Sequence, residues 1–305
     1  MHLHSSLILV VGGDLGRRSG MLLQEQGCKV LGLRRRPPAE GPQGLRWIAA
    51  SATDSAALRA LPSGISHVLY APAPGERSEA AYRAVFIDGP ARLLDNLDAA
   101  ALRRFLFVSS SAVYGPSTDW VDEDTPPRPA TAGGRILLDA EHRLRERLPG
   151  RSVAFRLSGL YGPGRDKLMR RLRLGQAAVP ASGTHWVNRF HIEDAARACA
   201  HLLLLPDALP CYLGTDGKPY PMARLYDALA AMQGAPAPTR DPDGKPEAGK
   251  RLSPSRLLAS GYRIKWPDAM EGYRALSSAR CCSTATAGKV LPSRNSRKAP
   301  PPVEM

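Results

Sequence analysis

An α/β fold with a doubly wound parallel sheet is predicted by two features of this 305-residue sequence. Short apolar stretches, each suited to a buried strand, alternate with longer stretches of helical character over the first half of the chain. In addition, a glycine-rich turn separates the first of these strands from the first helix. Strands joined by helices in this way are parallel, because each helix returns the chain to the same edge of the sheet.

The alternation extends from residue 7 to about residue 157. Strands are predicted at residues 7–11, 29–33, 45–49, 67–70, 105–109 and 153–157. Helices are predicted between them, for example at 15–26 and 79–99, and later at 166–175, 192–205 and 222–233. From about residue 277 the sequence is rich in Pro, Ser, Lys and Arg and poor in apolar residues, so we predict a disordered basic tail over 277–305.

The first predicted strand ends in a turn whose composition suits ligand binding. The segment LILVVGGDLG, residues 7–16, places two glycines after five apolar residues and a third glycine three positions later. Without side chains the backbone can approach a ligand closely, and the following helix offers free N–H groups and a positive dipole end to a pyrophosphate. This arrangement is typical of a dinucleotide-binding, Rossmann-type fold, although a plain strand-to-helix turn would look similar. The predicted cofactor-binding residues of this turn are Gly12, Gly13, Asp14, Leu15 and Gly16.

Two further segments are predicted at the same edge of the sheet. Ala71 and Pro72 follow the strand at 67–70, and a dinucleotide crosses the carboxyl ends of the strands in this architecture. The second strand ends in Arg34 and Arg35, where an acidic residue would bind the ribose of NAD. A guanidinium can instead bind the 2′-phosphate of NADP through two charge-assisted hydrogen bonds. The sequence therefore predicts NADP, with NAD less favoured, and a solvated basic turn is the open alternative.

Four later segments resemble one known family. They are FVSSSAVYG at 107–115, VDEDTPPRPAT at 121–131, RLSGLYGPGR at 156–165 and NRFHIEDAARA at 188–198. In this order they are similar to segments of the extended short-chain dehydrogenase/reductase family, also called the NAD-dependent epimerase/dehydratase family. The resemblance covers most of residues 5–276. It implies one Rossmann-type NAD(P)-binding domain over residues 1–276, with parts at about 158–189 and 206–276 that bind a small molecule such as a sugar or nucleotide sugar.

The resemblance also implies a catalytic Ser or Thr, a Tyr and a Lys, of which only part is present. Ser110 matches the Ser or Thr, and its neighbouring serines leave the assignment open by one residue. In the family a Tyr-x-x-x-Lys pair precedes a helix glutamate, here Glu141, and the corresponding positions hold Gly133 and Leu137. Tyr114 could serve as an acid instead. The predicted catalytic residues are therefore Ser110 and Tyr114.

The missing pair leaves two kinds of function open. The first is an atypical NADP-dependent oxidoreductase or epimerase that acts on an unknown small molecule. The second is a non-catalytic NADP-binding sensor or scaffold that has kept the site and lost proton transfer. Ser110 and the YGPG segment at 161–164 favour the enzyme, whereas Gly133 and Leu137 favour the sensor.

The composition bears on partners and location. A net charge of +14 would suit nucleic acid, but the arginines are scattered and no aromatic residues interleave them, so a nucleic-acid partner is not favoured. No apolar run approaches the length of about 18 residues that a membrane helix needs, so no membrane partner is expected. The N-terminus lacks the basic region of a secretory signal, which predicts a cytoplasmic protein. Neither the cysteines nor the histidines show the spacing of a metal site, and a homodimer remains open.

Overall fold

The computed structural model describes residues 6–37, 45–117, 119–244 and 249–287, with side chains as far as Ser278. Its strands are β1 (Leu7–Gly12), β2 (Lys29–Arg34), β3 (Arg46–Ala49), β4 (Ile65–Ala71), β5 (Arg104–Ser110), β6 (Trp120–Val121), β7 (Ser152–Leu157), β8 (Gly159–Tyr161), β9 (Ala178–Pro180), β10 (Trp186–Val187), β11 (Arg189–His191), β12 (Cys211–Gly214), β13 (Tyr220–Pro221), β14 (Thr239–Asp241) and β15 (Arg251–Leu252). Its helices are α1 (Asp14–Glu25), α2 (Ser55–Arg59), α3 (Glu79–Arg83), α4 (Gly89–Asp95), α5 (Ala132–Arg147), α6 (Lys167–Arg173), α7 (Ile192–Leu204), α8 (Met222–Met232), α9 (Ser255–Ala259) and α10 (Ala269–Ala287).

Seven parallel strands form the central sheet, in the order β12-β7-β5-β4-β1-β2-β3. The predicted α/β class and doubly wound, Rossmann-type parallel sheet are confirmed. The six predicted strands are all present, with ends that differ from the prediction by at most two residues. The seventh strand, β12, was not predicted, because its four residues CYLG are too few to show a strand period.

The order of the strands creates a crevice beside β1. From β1 the chain builds β2 and β3 on one side and then crosses to β4 on the other side. In open α/β sheets, ligands bind outside the carboxyl ends of the strands at such a reversal. Gly12, at the end of β1, is in register with Ala71, at the end of β4. The two segments predicted to bind a cofactor therefore meet at this edge.

Apolar layers cover both faces of the sheet. Successive side chains of a strand point to opposite faces, and those of β1 divide accordingly. Leu9 and Val11 join the layer under α2, α4 and α5, whereas Ile8 and Val10 join the layer under α1 and α7. A third cluster packs α6, α8 and α10 together and forms the smaller C-terminal part.

The helix predicted over residues 79–99 consists of three pieces. Helix α3 is followed by a π-helical turn, Ala84–Asp88, and then by α4, which ends at Asp95. Pro90 lies in the first turn of α4. Because proline has no N–H and its ring crowds the preceding turn, a regular helix cannot continue through this position.

The C-terminal helix extends further than the sequence predicts. Helix α10 continues to Ala287, eleven residues into the segment predicted to be disordered from 277. The segment 273–287 contains neither Gly nor Pro and is rich in Ala, which favours a helix over disorder. The rest of the predicted tail, 288–305, lies outside the described residues, and its disorder stays a prediction. Within the described ranges, no helix has both the length and the apolar character needed to span a membrane.

Candidate functional site

The three glycines of the first turn have different surroundings. Gly12 has a φ of 140°, and a Cβ there would collide with the carbonyl oxygen of Ala71. A Cβ at Gly16 would lie 2.9 Å from Cγ1 of Val10, so this glycine lets α1 pack closely on β1. A Cβ at Gly13, in contrast, would meet nothing within 4 Å. Gly12 and Gly16 are thus required by packing, whereas Gly13 faces open space in the crevice.

The start of α1 carries unsatisfied donors toward this space. Gly13 is the N-cap of the twelve-residue helix and has no side chain that could accept from the first turn. The side chain of Leu15 is buried in the core, so only its backbone N–H can face a ligand. A helix N-terminus with free N–H groups binds anions such as a pyrophosphate. The residues present therefore fit the pyrophosphate of a dinucleotide.

Basic side chains surround the carboxylate of Asp14 at the same helix end. Arg18 donates from Nε to Asp14 at 2.9 Å, and Arg17 donates at 3.4 Å. Arg165, from the loop after β8, lies 3.7 Å from the other carboxylate oxygen, and burial lowers the pKa of its guanidinium. Arg18 also donates to the carbonyl of Pro163 at 3.1 Å. The loop 162–165 therefore lies against the start of α1.

The arginines predicted to select NADP lie at the end of β2. The guanidinium of Arg34 lies over the ring of Trp47, 5.7 Å from its centre. Arg35 is exposed, and its Nη2 lies 3.9 Å from where a Cβ would stand on Gly75, in the loop after β4. Since β1 lies between β2 and β4, Arg35 reaches across the carboxyl end of β1. The structure thus brings Arg35 and the glycine turn to one edge of the sheet.

Ser110 ends β5 two strands away from the glycine turn. Its Oγ accepts a hydrogen bond of 3.2 Å from the N–H of Ala112 and so caps a 3-10 turn, Ser111–Val113. The side chain is half-buried, and its hydroxyl hydrogen remains available to donate.

Tyr114 belongs to a buried polar network behind this turn. Its hydroxyl accepts a hydrogen bond of 2.5 Å from Nη1 of Arg156, and burial raises the pKa of the phenol. Arg156 also forms an ion pair of 2.6 Å with Glu141, and the Ser109 hydroxyl donates to Glu141 at 2.5 Å. Ser109 is thereby occupied inside the protein, which leaves Ser110 and Ser111 as the serines beside the crevice. The contacts of Tyr114 are structural, and a catalytic role for it stays a prediction.

At the two positions of the expected Tyr-x-x-x-Lys pair, a core leucine and the ring of a tyrosine from another helix occupy the space. Leu137 is 4% exposed and belongs to the core under α5. A Cβ at Gly133 would lie 2.7 Å from Cε1 of Tyr82, so the ring of this α3 tyrosine occupies the space that a side chain at 133 would need. Sequence reasoning missed Tyr82, because no motif marks it and the contact joins two helices that are distant in the chain.

Residues 8–212 match the sequence profile of the NAD dependent epimerase/dehydratase family. The chain belongs to this family. Among curated proteins, Protein YeeZ of Escherichia coli strain K12 is similar to it, with 33% identity over 186 residues. The matched region covers 60% of this chain and 66% of YeeZ, which is slightly less than two thirds of that relative's length. The resemblance read from the four sequence segments is thus confirmed.

Solved structures of epimerase/dehydratase relatives share the fold. A protein of Methylobacillus flagellatus, described as an NAD-dependent epimerase/dehydratase, has a TM-score of 0.76 and 32% identity and covers 92% of this chain and 100% of its own. A short-chain dehydrogenase/reductase superfamily protein of Agrobacterium tumefaciens, solved with bound NAD, has a TM-score of 0.78 and 24% identity. That likeness covers 93% of this chain and 100% of the other, and it concerns the fold alone.

Proposed function

We propose that this protein binds NADP(H) in the crevice between β1 and β4 and acts as an atypical oxidoreductase or epimerase on a small molecule. The observation that carries the proposal is the open space at Gly13 beside the uncapped start of α1. Membership of the epimerase/dehydratase family and the nicotinamide dinucleotide bound by the Agrobacterium relative support it.

Each part of the cofactor has residues that suit it. The N–H groups of Asp14, Leu15 and Gly16 would hold the pyrophosphate, and Arg18 and Arg165 would add positive charge beside it. At the other end of the crevice, Arg34 and Arg35 would hold the 2′-phosphate. Ala71 and Pro72, at the end of β4, would lie under the cofactor between these groups. A bound nicotinamide supplies or accepts a hydride, and Ser110 would hold the substrate oxygen by hydrogen bonding.

A non-catalytic NADP-binding sensor or scaffold is the second candidate. Gly133 offers no proton, and Leu137 offers no charge that would lower the pKa of a phenol or hold the ribose of the nicotinamide. Tyr114 could replace the lost acid only if a substrate reached its hydroxyl, and the residue is 3% exposed. These observations favour a protein that binds the cofactor and turns over ordinary substrates of the family weakly.

Calorimetric titration with NADP⁺ and NAD⁺ tests the proposed function. We expect NADP⁺ to bind about tenfold to a hundredfold more tightly, since an arginine–phosphate contact contributes about 1.5–3 kcal/mol. An Arg34→Ala/Arg35→Ala variant should lose this preference, whereas Arg145→Ala, at an exposed position on α5, should keep it. Equal affinities would refute the choice of NADP, and no binding of either dinucleotide would refute the proposed function itself.

A further inference from the structure

We infer that Tyr82 takes the place of the missing catalytic tyrosine and donates a proton to the carbonyl oxygen of the substrate. This inference rests on the proposed function, because it assigns Tyr82 a role in the reaction proposed there. It differs from the assignment of Tyr114, whose hydroxyl is bonded to Arg156 inside the protein.

The first line of evidence is the fit between Tyr82 and Gly133. The edge of the tyrosine ring lies against Gly133, with Cε1 at 2.7 Å and Cδ1 and Cζ at 3.2 Å from the position of a Cβ. These distances are shorter than ordinary contacts between side chains, so any residue other than glycine at 133 would push the ring away. The ring of Phe86 supports the other side of Tyr82 in an edge-to-face contact, with 5.5 Å between ring centres. Cζ, the carbon that bears the Tyr82 hydroxyl, therefore lies 3.2 Å from the point at which a side chain at 133 would begin.

The second line of evidence is the neighbourhood of this position. Gly134, the next residue of α5, is packed so closely on the turn after β5 that a Cβ there would collide with the carbonyl oxygen of Ala112. Ser110 caps the same turn. Tyr82 and Ser110 thus belong to two segments that both pack against the first turn of α5. The side chain of Tyr82 is half-buried, and within the described part of the chain its hydroxyl has no hydrogen-bond partner.

The apolar surroundings of Tyr82 favour donation of its proton to a substrate. A lysine at 137 would favour the phenolate, but Leu137 is buried and apolar. Without a positive charge at 137 to stabilise a phenolate, Tyr82 is suited to donating a proton rather than to accepting one. We therefore expect reduction of an aldehyde or ketone. A bound reduced nicotinamide would supply the hydride and be left oxidised. As the hydride adds to the carbonyl carbon, the carbonyl π bond would break and its oxygen would take the Tyr82 hydroxyl proton, and a proton from solvent would then restore the phenol.

Fluorine NMR tests the position of Tyr82 without any turnover. The chain has nine tyrosines, and uniform labelling with 3-fluorotyrosine gives each of them a fluorine resonance. The resonance that disappears in a Tyr→Phe variant belongs to the replaced tyrosine. We expect the Tyr82 resonance to shift when NADP⁺ saturates the protein, and to shift in Gly133→Ala before any addition. The Tyr226 resonance, from a half-buried tyrosine on α8, should stay in place. A Tyr82 resonance that stays in place, while calorimetry shows that NADP⁺ is bound, would overturn the inference and leave the proposed function intact.

Oxidation of NADPH with phenanthrenequinone as the carbonyl probe tests proton donation. Replacing a positioned general acid typically lowers a rate by about 10²–10⁴-fold, and we expect a loss in this range for Tyr82→Phe with unchanged NADPH affinity. Tyr226→Phe should keep the wild-type rate. A wild-type rate no faster than that of Tyr82→Phe would refute the role of Tyr82 as the acid. A wild-type protein that does not bind NADPH would instead count against the proposed function.

Discussion

Gly12 and Gly13 are adjacent and chemically identical, yet their surroundings differ. Gly12 is constrained by the protein, since its φ of 140° and its contact with Ala71 exclude a side chain. A methyl group at Gly13 would meet no protein atom within 4 Å, so its direction is open to a ligand. The effects of substitutions at these two positions can therefore separate stability from binding.

We predict that Gly12→Ala destabilises the fold by at least about 2 kcal/mol, because alanine is strained at positive φ and collides with Ala71. Gly13→Ala, which makes no collision, should lower the melting temperature less than Gly12→Ala and weaken NADP⁺ binding at least tenfold. Thermal unfolding, monitored by circular dichroism, measures the loss of stability. Calorimetric titration measures the loss of NADP⁺ affinity. Undiminished affinity in Gly13→Ala would place the pyrophosphate elsewhere.

The ion pair between Arg156 and Glu141 gives a second prediction about single residues. Both side chains are almost fully buried, at 4% and 1% exposure. Glu141→Gln leaves the Arg156 charge buried without a counter-charge, which should cost about 3–5 kcal/mol in urea unfolding. Asp139→Asn is the matched control on the same helix, since it removes an exposed pair with Arg143 and should cost less than about 1 kcal/mol. Similar losses in the two variants would contradict this account.

Among the elements, the strands were predictable because each buried strand carries its own apolar signal. Residues 29–33 and 105–109, for example, are apolar along most of their length, and β2 and β5 lie there. The helices were predicted less well where the backbone departs from regularity. The π-helical turn before Pro90 depends on how α3 and α4 pack on α5, which a local pattern does not contain.

Helix α5 carries a prediction of its own, about restoring the family's tyrosine. Gly133→Tyr alone should destabilise the protein, because the new side chain and the ring of Tyr82 cannot share one space. Adding Tyr82→Ala should recover part of the loss, so that the double variant melts above the single variant. Melting temperatures of the two variants and of Tyr82→Ala test this. A single variant as stable as the wild type would show that the ring moves aside freely.

The stability of the whole molecule should depend on pH through His67. Burial, followed by the charges of Arg104 and Arg103, lowers the pKa of this β4 histidine from 6.5 to about 4. Between these values the unfolded chain binds a proton that the folded protein excludes, so stability is full above pH 6.5 and falls as the pH drops toward 4. The loss should be about 3 kcal/mol.

Urea unfolding between pH 7 and pH 4 measures this effect. His67→Asn should show a shallower dependence on pH than the wild type, because it has no titrating ring. His142→Gln, at an exposed position on α5, should follow the wild type. An unchanged slope in His67→Asn would assign the acid sensitivity to other groups.

At the scale of the whole molecule, the site was less predictable than the fold. The placement of the glycine turn, Arg35 and Ser110 at the carboxyl ends of strands could be predicted, because each follows a predicted strand. The contacts between Arg165 and Asp14 and between Tyr82 and Gly133 could not, because they join segments that are distant in the sequence. Such contacts follow from how loops and helices pack, and a single sequence holds no local record of that packing.

The contact between Tyr82 and Gly133 also bears on how this gene can evolve. A descendant that regained the Tyr-x-x-x-Lys pair would need an aromatic ring at 133, a lysine at 137 and a smaller residue at 82. Taken singly, the first change meets the ring of Tyr82, the second buries a charge among apolar side chains, and the third leaves a void. Each single change should therefore lower stability, and the three changes would be tolerated only in combination, a pattern called sign epistasis. Single substitutions from the present sequence thus lead away from a stable protein before they reach the common arrangement.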